Sequence, residues 1–242
     1  MVIKTDLHTH TTVSSHAYST LGENIKYAEE SGLEAVAVTN HAPGMPDSAH
    51  IWHFMNLKAL PRKTDGGLVI LRGAECSFTD AGGSIDLPEN VLKNLDIVIA
   101  STHTPAFCPS SAEEHTKMLI SAMDNPYIDI LGHIDRVKCG ADFDAVAKAA
   151  AENGKVIEMN EHSIDNHNGA EQAMEYAIKL MNACKKHGTM IAVNSDAHYC
   201  GLIGHFDRTL SLLESIGFDE GLIINTSLGR LKKYLKSKNK IL

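Results

Sequence analysis

Seven short apolar runs punctuate the chain, at residues 2–7, 34–39, 68–74, 97–100, 128–131, 156–159 and 190–193. Several are near-continuous Val, Ile, Leu, Ala and Met, the pattern of strands buried on both faces of a parallel sheet. Between them lie stretches whose apolar positions recur at helical spacing. Thr20-Leu-Gly-Glu23 has the form of a capping box and opens a helix running to about Ser31, with Gly32 as its stop. Residues 111–123 form another helix that ends before Pro126. Residues 142–153, closed by Gly154, and 169–187, closed by Gly188, follow the same rules, and a final pair covers 207–216 and 227–236. Strand and helix thus alternate seven times, with one extra apolar run at 222–224. Such alternation predicts an α/β protein with parallel strands and outer helices, as a barrel or an open doubly wound sheet. No linker-like stretch, repeat or low-complexity segment interrupts the 242 residues, so a single domain is expected. The longest insertion, 43–65, carries His50, Trp52 and His53 and is placed to cover a site.

Composition narrows the picture. Lys and Arg number 22 against 30 Asp and Glu, a formal charge of −8. That argues against non-specific binding to nucleic-acid backbone, which needs a basic face, so no stable nucleic-acid partner is expected. No apolar run approaches the ~18 residues of a membrane span. The polar opening MVIKTDLHTH lacks the apolar core of a secretory leader, and a cytoplasmic protein is expected. The five cysteines are scattered with no C-x-x-C pair, which reads as free thiols.

Histidine is the anomaly, at 14 residues. His8 and His10, two apart, close the first strand and point to one side of extended backbone. His16 follows in the next loop. His41 closes the second strand, Glu75 the third, His103 the fourth and His133 the fifth. Asp196 and His198, again two apart, close the seventh. The sixth strand, with Glu158 and Asn160, is left without a ligand. In a β/α barrel these carboxyl ends converge on one rim. Nine candidate ligands at six of seven strand ends point to metal. Nine side chains are too many for one ion and generous for two. Three divalent transition-metal ions, with Glu75 bridging, use the whole set, and imidazole-rich ligation suits Zn, Mn or Fe better than Ca or Mg. Of the other histidines (50, 53, 115, 162, 167, 187 and 205), only His53, His162 and His205 are placed to reach the rim.

The H-x-H opening, His16, the Asn-His at His41, the G-x-E at Glu75, the T-H at His103, the G-H at His133 and the S-D-A-H ending at His198 resemble the PHP (polymerase and histidinol phosphatase) superfamily. The compact chain and the Trp52-His53 pair look like its YcdX-type phosphatases. The resemblance implies a distorted seven-stranded (β/α)7 TIM-like barrel with three metal ions in one pocket. It implies one ion on His8, His10, Glu75 and Asp196, a second on Glu75, His103 and His133, and a third on His16, His41 and His198.

The chemistry expected of such a site is hydrolysis of a phosphate monoester by a hydroxide bridging two ions, with Glu75, Asp196 and His198 carrying it. A small phosphorylated substrate is the expected partner, and a homo-oligomer remains open. Arg136 is a candidate phosphate or substrate contact, Arg62 and Trp52 are further substrate-contact candidates, and Asp6 is a candidate to orient a ligand imidazole. Histidinol-phosphate phosphatase, phosphodiester or DNA-end processing, C–N bond hydrolysis and non-catalytic metal binding or sensing are the alternatives.

Overall fold

The computed structural model describes residues 1–165 and 170–240. Seven parallel strands stand side by side in chain order: β1 (Thr5–Asp6), β2 (Ala35–Val38), β3 (Val69–Ser77), β4 (Ile97–Ser101), β5 (Ile130–Gly132), β6 (Val156–Asn160) and β7 (Ile191–Asn194). Helices join them: α1 (Leu21–Glu30), α2 (Ile51–Asn56), α3 (Glu89–Leu92), α4 (Ala112–Ala122), α5 (Phe143–Asn153), α6 (Glu161–Asp165) and α7 (Ala170–His187). Two more, α8 (Asp207–Ser215) and α9 (Leu228–Ser237), follow β7. The start expected for the α7 helix at Gly169 lies outside the described residues.

The sheet closes almost completely into a barrel. Thr9 and Ala197 form a parallel bridge between the chain after β1 and the chain after β7. Below it, Asn225 stitches the seam. Its amide donates to Thr5 O at 2.8 Å and Val193 O at 2.6 Å, and its carbonyl oxygen accepts from Val193 N at 3.0 Å. The Lys4 and Thr5 amides donate to its backbone oxygen. This explains why β1 is shorter than its apolar run. An asparagine, rather than a neighbouring strand, satisfies its outer edge. The extra apolar run joins through a bridge between Ile191 and Ile223.

The strands read as continuous apolar runs because each face is buried against something different. Ala35, Ala37, Leu71, Ile97, Ile99, Ile130, Val156 and Ala192 fill the barrel interior. Their strand neighbours Val36, Leu131, Ile157, Ile191 and Val193 pack outward under the helices. The period of two thus separates two cores. Leu231, Tyr234 and Leu235 of α9 cap the interior where the strands begin, and Tyr234 OH donates to Asp129 O just before β5. Two inward positions are glycine. A Cβ on Gly73 would lie 2.7 Å from Thr39 Cγ2, and one on Gly132 would lie 2.3 Å from Ser101 Oγ.

The capping box of α1 is present, with Thr20 and Glu23 bonded reciprocally. The pattern reading missed α2, α3 and α6, all shorter than two turns. α2 lies inside the 43–65 insertion. The His50 side chain caps it by accepting from Trp52 N, and Phe54 and Leu57 bury its inner side.

Candidate metal centre

Following the inward face of each strand toward its carboxyl end changes the chemistry from apolar to polar. On β3 the face runs Leu71, Gly73, Glu75, Ser77. On β6 it runs Val156, Glu158, Asn160, and on β7 Ala192, Asn194, continuing to Asp196. All of these polar residues are buried. The barrel interior therefore ends in a layer of carboxylates and amides, and histidines from the following loops close over it.

Glu75 is the centre of that layer. Its Oε1 lies 3.1 Å from His103 Nε2 and 2.8 Å from His133 Nε2. Its Oε2 lies 3.3 Å from His8 Nε2, 3.4 Å from His10 Nε2 and 2.7 Å from His41 Nδ1. Asp196 Oδ1 lies 3.5 Å from His8 Nε2 and 3.1 Å from His10 Nε2. At the rim, His16 and His198 meet at 2.9 Å between their Nε2 atoms. All nine expected ligands are thus brought together. His41 stands between two groups, since its ring also stacks on His10 at 4.4 Å and on His16 at 5.0 Å.

The orphaned atoms test whether a metal fits. His8 Nε2, His10 Nε2, Glu75 Oε2 and Asp196 Oδ1 are all buried and have no hydrogen-bond partner. Buried polar atoms are rarely left so. Four contacts among these atoms span 3.1 to 3.5 Å. A tetrahedral ion with bonds of about 2.1 Å separates its ligands by about 3.4 Å. His8, His10 and Glu75 converge closely enough to hold one, as do His8, His133 and Asp196, and the mixed nitrogen and oxygen donors suit a divalent transition metal. Glu75 Oε1 with His103 and His133 offers a second group that shares the same carboxylate.

Burial opposes charge throughout the site. At His8 the carboxylates of Glu158, Asp196 and Glu75 overcome it and hold the imidazole pKa well above its usual value. Against the same burial, His103, His8 and His41 keep Glu75 well below the usual carboxylate range, and His8 and His10 do the same for Asp196. His10 goes the other way, because burial and then the neighbouring His41 push it well below. The backbone is also strained here. His133 and Asp196 sit at φ 28° and 54°, a left-handed region that costs a non-glycine residue on the order of 1–3 kcal/mol.

The far nitrogens of the imidazoles reveal residues the strand-end pattern did not show. Glu158 Oε1 bonds His8 Nδ1 at 2.8 Å, and Oε2 accepts from His133 N at 2.9 Å. Asn160 and Asn194 donate to the same carboxylate. The sixth strand therefore contributes to the site through a positioning group. Its place two residues after the inward Val156 was the available signal. Asp47 bonds His16 Nδ1 at 2.5 Å, and Ser77 bonds His103 Nδ1 at 2.9 Å. The Asp47 contact is how the 43–65 insertion reaches the site. Asp6 orients backbone instead of an imidazole: it accepts from the amides of His8, Ser195 and Gly204, and burial pushes its pKa to about 6.

Replacing Glu158 with Gln is expected to weaken metal retention about 10- to 100-fold while the fold persists, a typical effect of removing a group that orients a ligand. Metal titration followed by circular dichroism of the same samples checks both halves.

The three substrate candidates separate. Arg136 Nη1 lies 3.5 Å from Asp196 Oδ2 and lines a cavity with His103 and His133. Trp52 is 72% exposed, and its ring contact is with His50. Arg62 pairs with Asp96, just before β4, and its carbonyl accepts from Ile70 N near the start of β3. It sits where the strands begin, at the opposite end of the barrel from the candidate metal ligands, and cannot share their pocket. Sequence distance concealed this, because the insertion that starts at the rim returns to the bottom before β3.

Among the remaining histidines, the His162 ring approaches His198 at 5.8 Å, and His53 Nε2 lies 3.3 Å from Asn40 Nδ2. His115 is a buried structural residue bonded to Gly140 O. His187 pairs with Asp144 on the outer surface. His205 makes no ring contact with the cluster among the described residues, and His167 lies outside them.

A family model for the PHP domain matches residues 6–196. The chain belongs to the PHP domain family. It is 44% identical over 236 residues to a probable phosphatase of Clostridium novyi, covering 98% of this chain and 96% of that one. It is 43% identical over 242 residues to a probable phosphatase of Thermoanaerobacter pseudethanolicus, covering 99% and 97%. Among solved structures, the PHP chain is similar to a histidinol phosphate phosphatase from Lactococcus lactis in complex with zinc, L-histidinol and phosphate. That match has a TM-score of 0.66 at 19% identity and covers 90% of this chain and 95% of the other. A chain of archaeal ribonuclease P matches with a TM-score of 0.64 at 13% identity, covering 96% and 91%. At these identities the structural matches speak for the barrel alone.

Proposed function

We propose that this PHP protein hydrolyses phosphate monoesters of small organic molecules at a site holding three divalent transition-metal ions, most simply zinc. The observation that carries the reading is the set of orphaned, closely converging ligand atoms around Glu75. The relatives over nearly the whole chain, named probable phosphatases, give the reaction class. Bound ions of this kind supply Lewis acidity toward phosphoryl oxygens and a hydroxide nucleophile near neutral pH.

The residues of the chain provide the frame. Glu75 presents one oxygen to each of two imidazole groups, and Asp196 completes the inner one. Asp196 O accepts from His198 Nδ1 at 3.0 Å, which aims His198 Nε2 at His16 and the open rim. Arg136 reaches the edge of the cluster from the solvent side, where a phosphoryl oxygen would meet its guanidinium. The net charge of −8 is no obstacle, because the anion is met locally by cations. The proposed setting is the cytoplasm, in keeping with five unpaired cysteines.

Elemental analysis paired with p-nitrophenyl phosphate turnover on one sample tests the reading. About three metal equivalents with chelator-sensitive phosphate release are expected. Tight metal retention without turnover would instead leave a metal-binding protein.

A further inference from the structure

A cavity of about 520 Å³ opens beside the metal cluster and shares His103 and His133 with it. Its other walls are the loop at 102–109 after β4 and the turn at 136–139 after β5, with Met45 opposite. Because the two histidines belong to both, the cavity is adjacent to any phosphoryl group that the cluster would hold.

The charges of the cavity are one-sided. Arg136 and Lys138 both line it, and no carboxylate does. Acids close to these walls are buried or engaged. Asp196 faces the imidazole cluster, Asp86 accepts from Gly44 N and Ser77 N, Asp135 is buried, and Glu114 accepts from Ser110 N and Oγ. Lys138 is exposed, and no ion pair engages it among the described residues. The remaining wall is hydroxyl, thiol and apolar: Thr102, Thr104 and Cys108, with Pro105 and Pro109. A cationic leaving group such as an amino alcohol would meet two positive side chains and no acid there.

We propose that this cavity is the leaving-group subsite and that it selects phosphate monoesters whose organic part carries a second negative charge, such as a carboxylate or another phosphate. The assignment rests on the phosphatase reading and narrows its substrate class. Arg136 serves the edge of the phosphoryl site, and Lys138, two residues on, meets the second anion.

The test compares kcat/KM of the metal-loaded enzyme for three small monoesters of similar size. These are 3-phosphoglycerate, glycerol 3-phosphate and phosphoethanolamine, whose leaving groups are anionic, neutral and cationic. The anionic substrate is expected to exceed the neutral one by about tenfold, from two partly exposed charge contacts. The cationic one should be the poorest, and the spread should shrink as salt is raised. Lys138→Glu is expected to abolish or invert the ratio, and Lys138→Arg to keep it. A merely structural role for Lys138 would lower all three substrates together and leave the ratio unchanged, which overturns the assignment. So does a wild-type ratio near one, or a preference for phosphoethanolamine. Absence of p-nitrophenyl phosphate turnover by the metal-loaded protein overturns the phosphatase reading itself, and this assignment falls with it.

Discussion

Replacing Glu75 with Gln is expected to lower phosphate release by roughly 10³-fold, about 4 kcal/mol of transition-state stabilisation, and to empty much of the metal site. The magnitude follows from the position of one carboxylate. Five imidazoles from four strand-end segments have a ring nitrogen within 3.4 Å of its two oxygens. Gln keeps the shape but carries no charge and offers only one good acceptor. It cannot serve two groups of ligands at once. The surrounding imidazoles would also lose the charge that now attracts them in the buried layer. Metal content, activity and circular dichroism of one preparation test this. Full activity with a full complement of metal in Glu75→Gln would remove Glu75 from the centre of the site.

Stripping the metals with a chelator is expected to abolish activity and to lower the melting temperature by roughly 10 °C. Ions present at about a thousand times their dissociation constant stabilise the folded state by about 4 kcal/mol, and a domain of this size shifts by about 2–4 °C per kcal/mol. The structural reason is that the ligand layer cannot satisfy itself, because five of its ligand atoms are buried without partners (His8 Nε2, His10 Nε2, His41 Nδ1, Glu75 Oε2 and Asp196 Oδ1). Zinc or manganese should restore both readouts.

The loss should also follow pH in a defined direction. Imidazole binds metal only when neutral, and the carboxylates around His8 raise its pKa despite burial. Protons therefore compete for that ligand from higher pH than at an ordinary histidine, and metal affinity should fall as pH drops. In the stripped protein the same attraction acts on stability. A raised pKa in the folded state favours folding at low pH, and the contribution of His8 is lost as pH rises through its folded value. The depressed Glu75 and Asp196 contribute above their ordinary carboxylate values, and that contribution is lost as pH falls through their depressed ones. The two windows overlap in mildly acidic solution. Those three groups stabilise the stripped protein most there, against the opposing cost of the depressed His10, while the metal-loaded protein is most stable at higher pH. Thermal melts of both forms across pH check the opposite trends.

Much of this site was legible along the chain. Each strand is a short apolar run, and each ligand stands at or just past its carboxyl end, because parallel strands place those ends on one rim. Glu75 and the H-x-H and D-x-H pairs could be placed from spacing alone, since the period of two fixes which side a residue faces. The candidate ligands, His16 in its loop excepted, are local features of strand ends. The partners that orient them are not. Glu158 reaches His8 across 150 residues, and Asp47 reaches His16 across 31. Nothing in the sequence near either histidine names its partner, because the pairing depends on barrel curvature and on how the 43–65 insertion folds back. The same insertion deceived the reading of Arg62. Its position near Trp52 in the chain suggested the rim, yet the insertion runs down to the start of β3, and Arg62 pairs with Asp96 at that end. The charge of the cavity beside the cluster was likewise hidden. Arg136 and Lys138 stand out in the sequence only as two cations among 22. Hydrophobic period and strand-end chemistry determined the barrel and its candidate metal ligands, because both are set by residues within a few positions of one another. Tertiary structure alone decided which acids hold the imidazoles and which cations line the cavity beside them, because those contacts form between loops that only the closed barrel brings together.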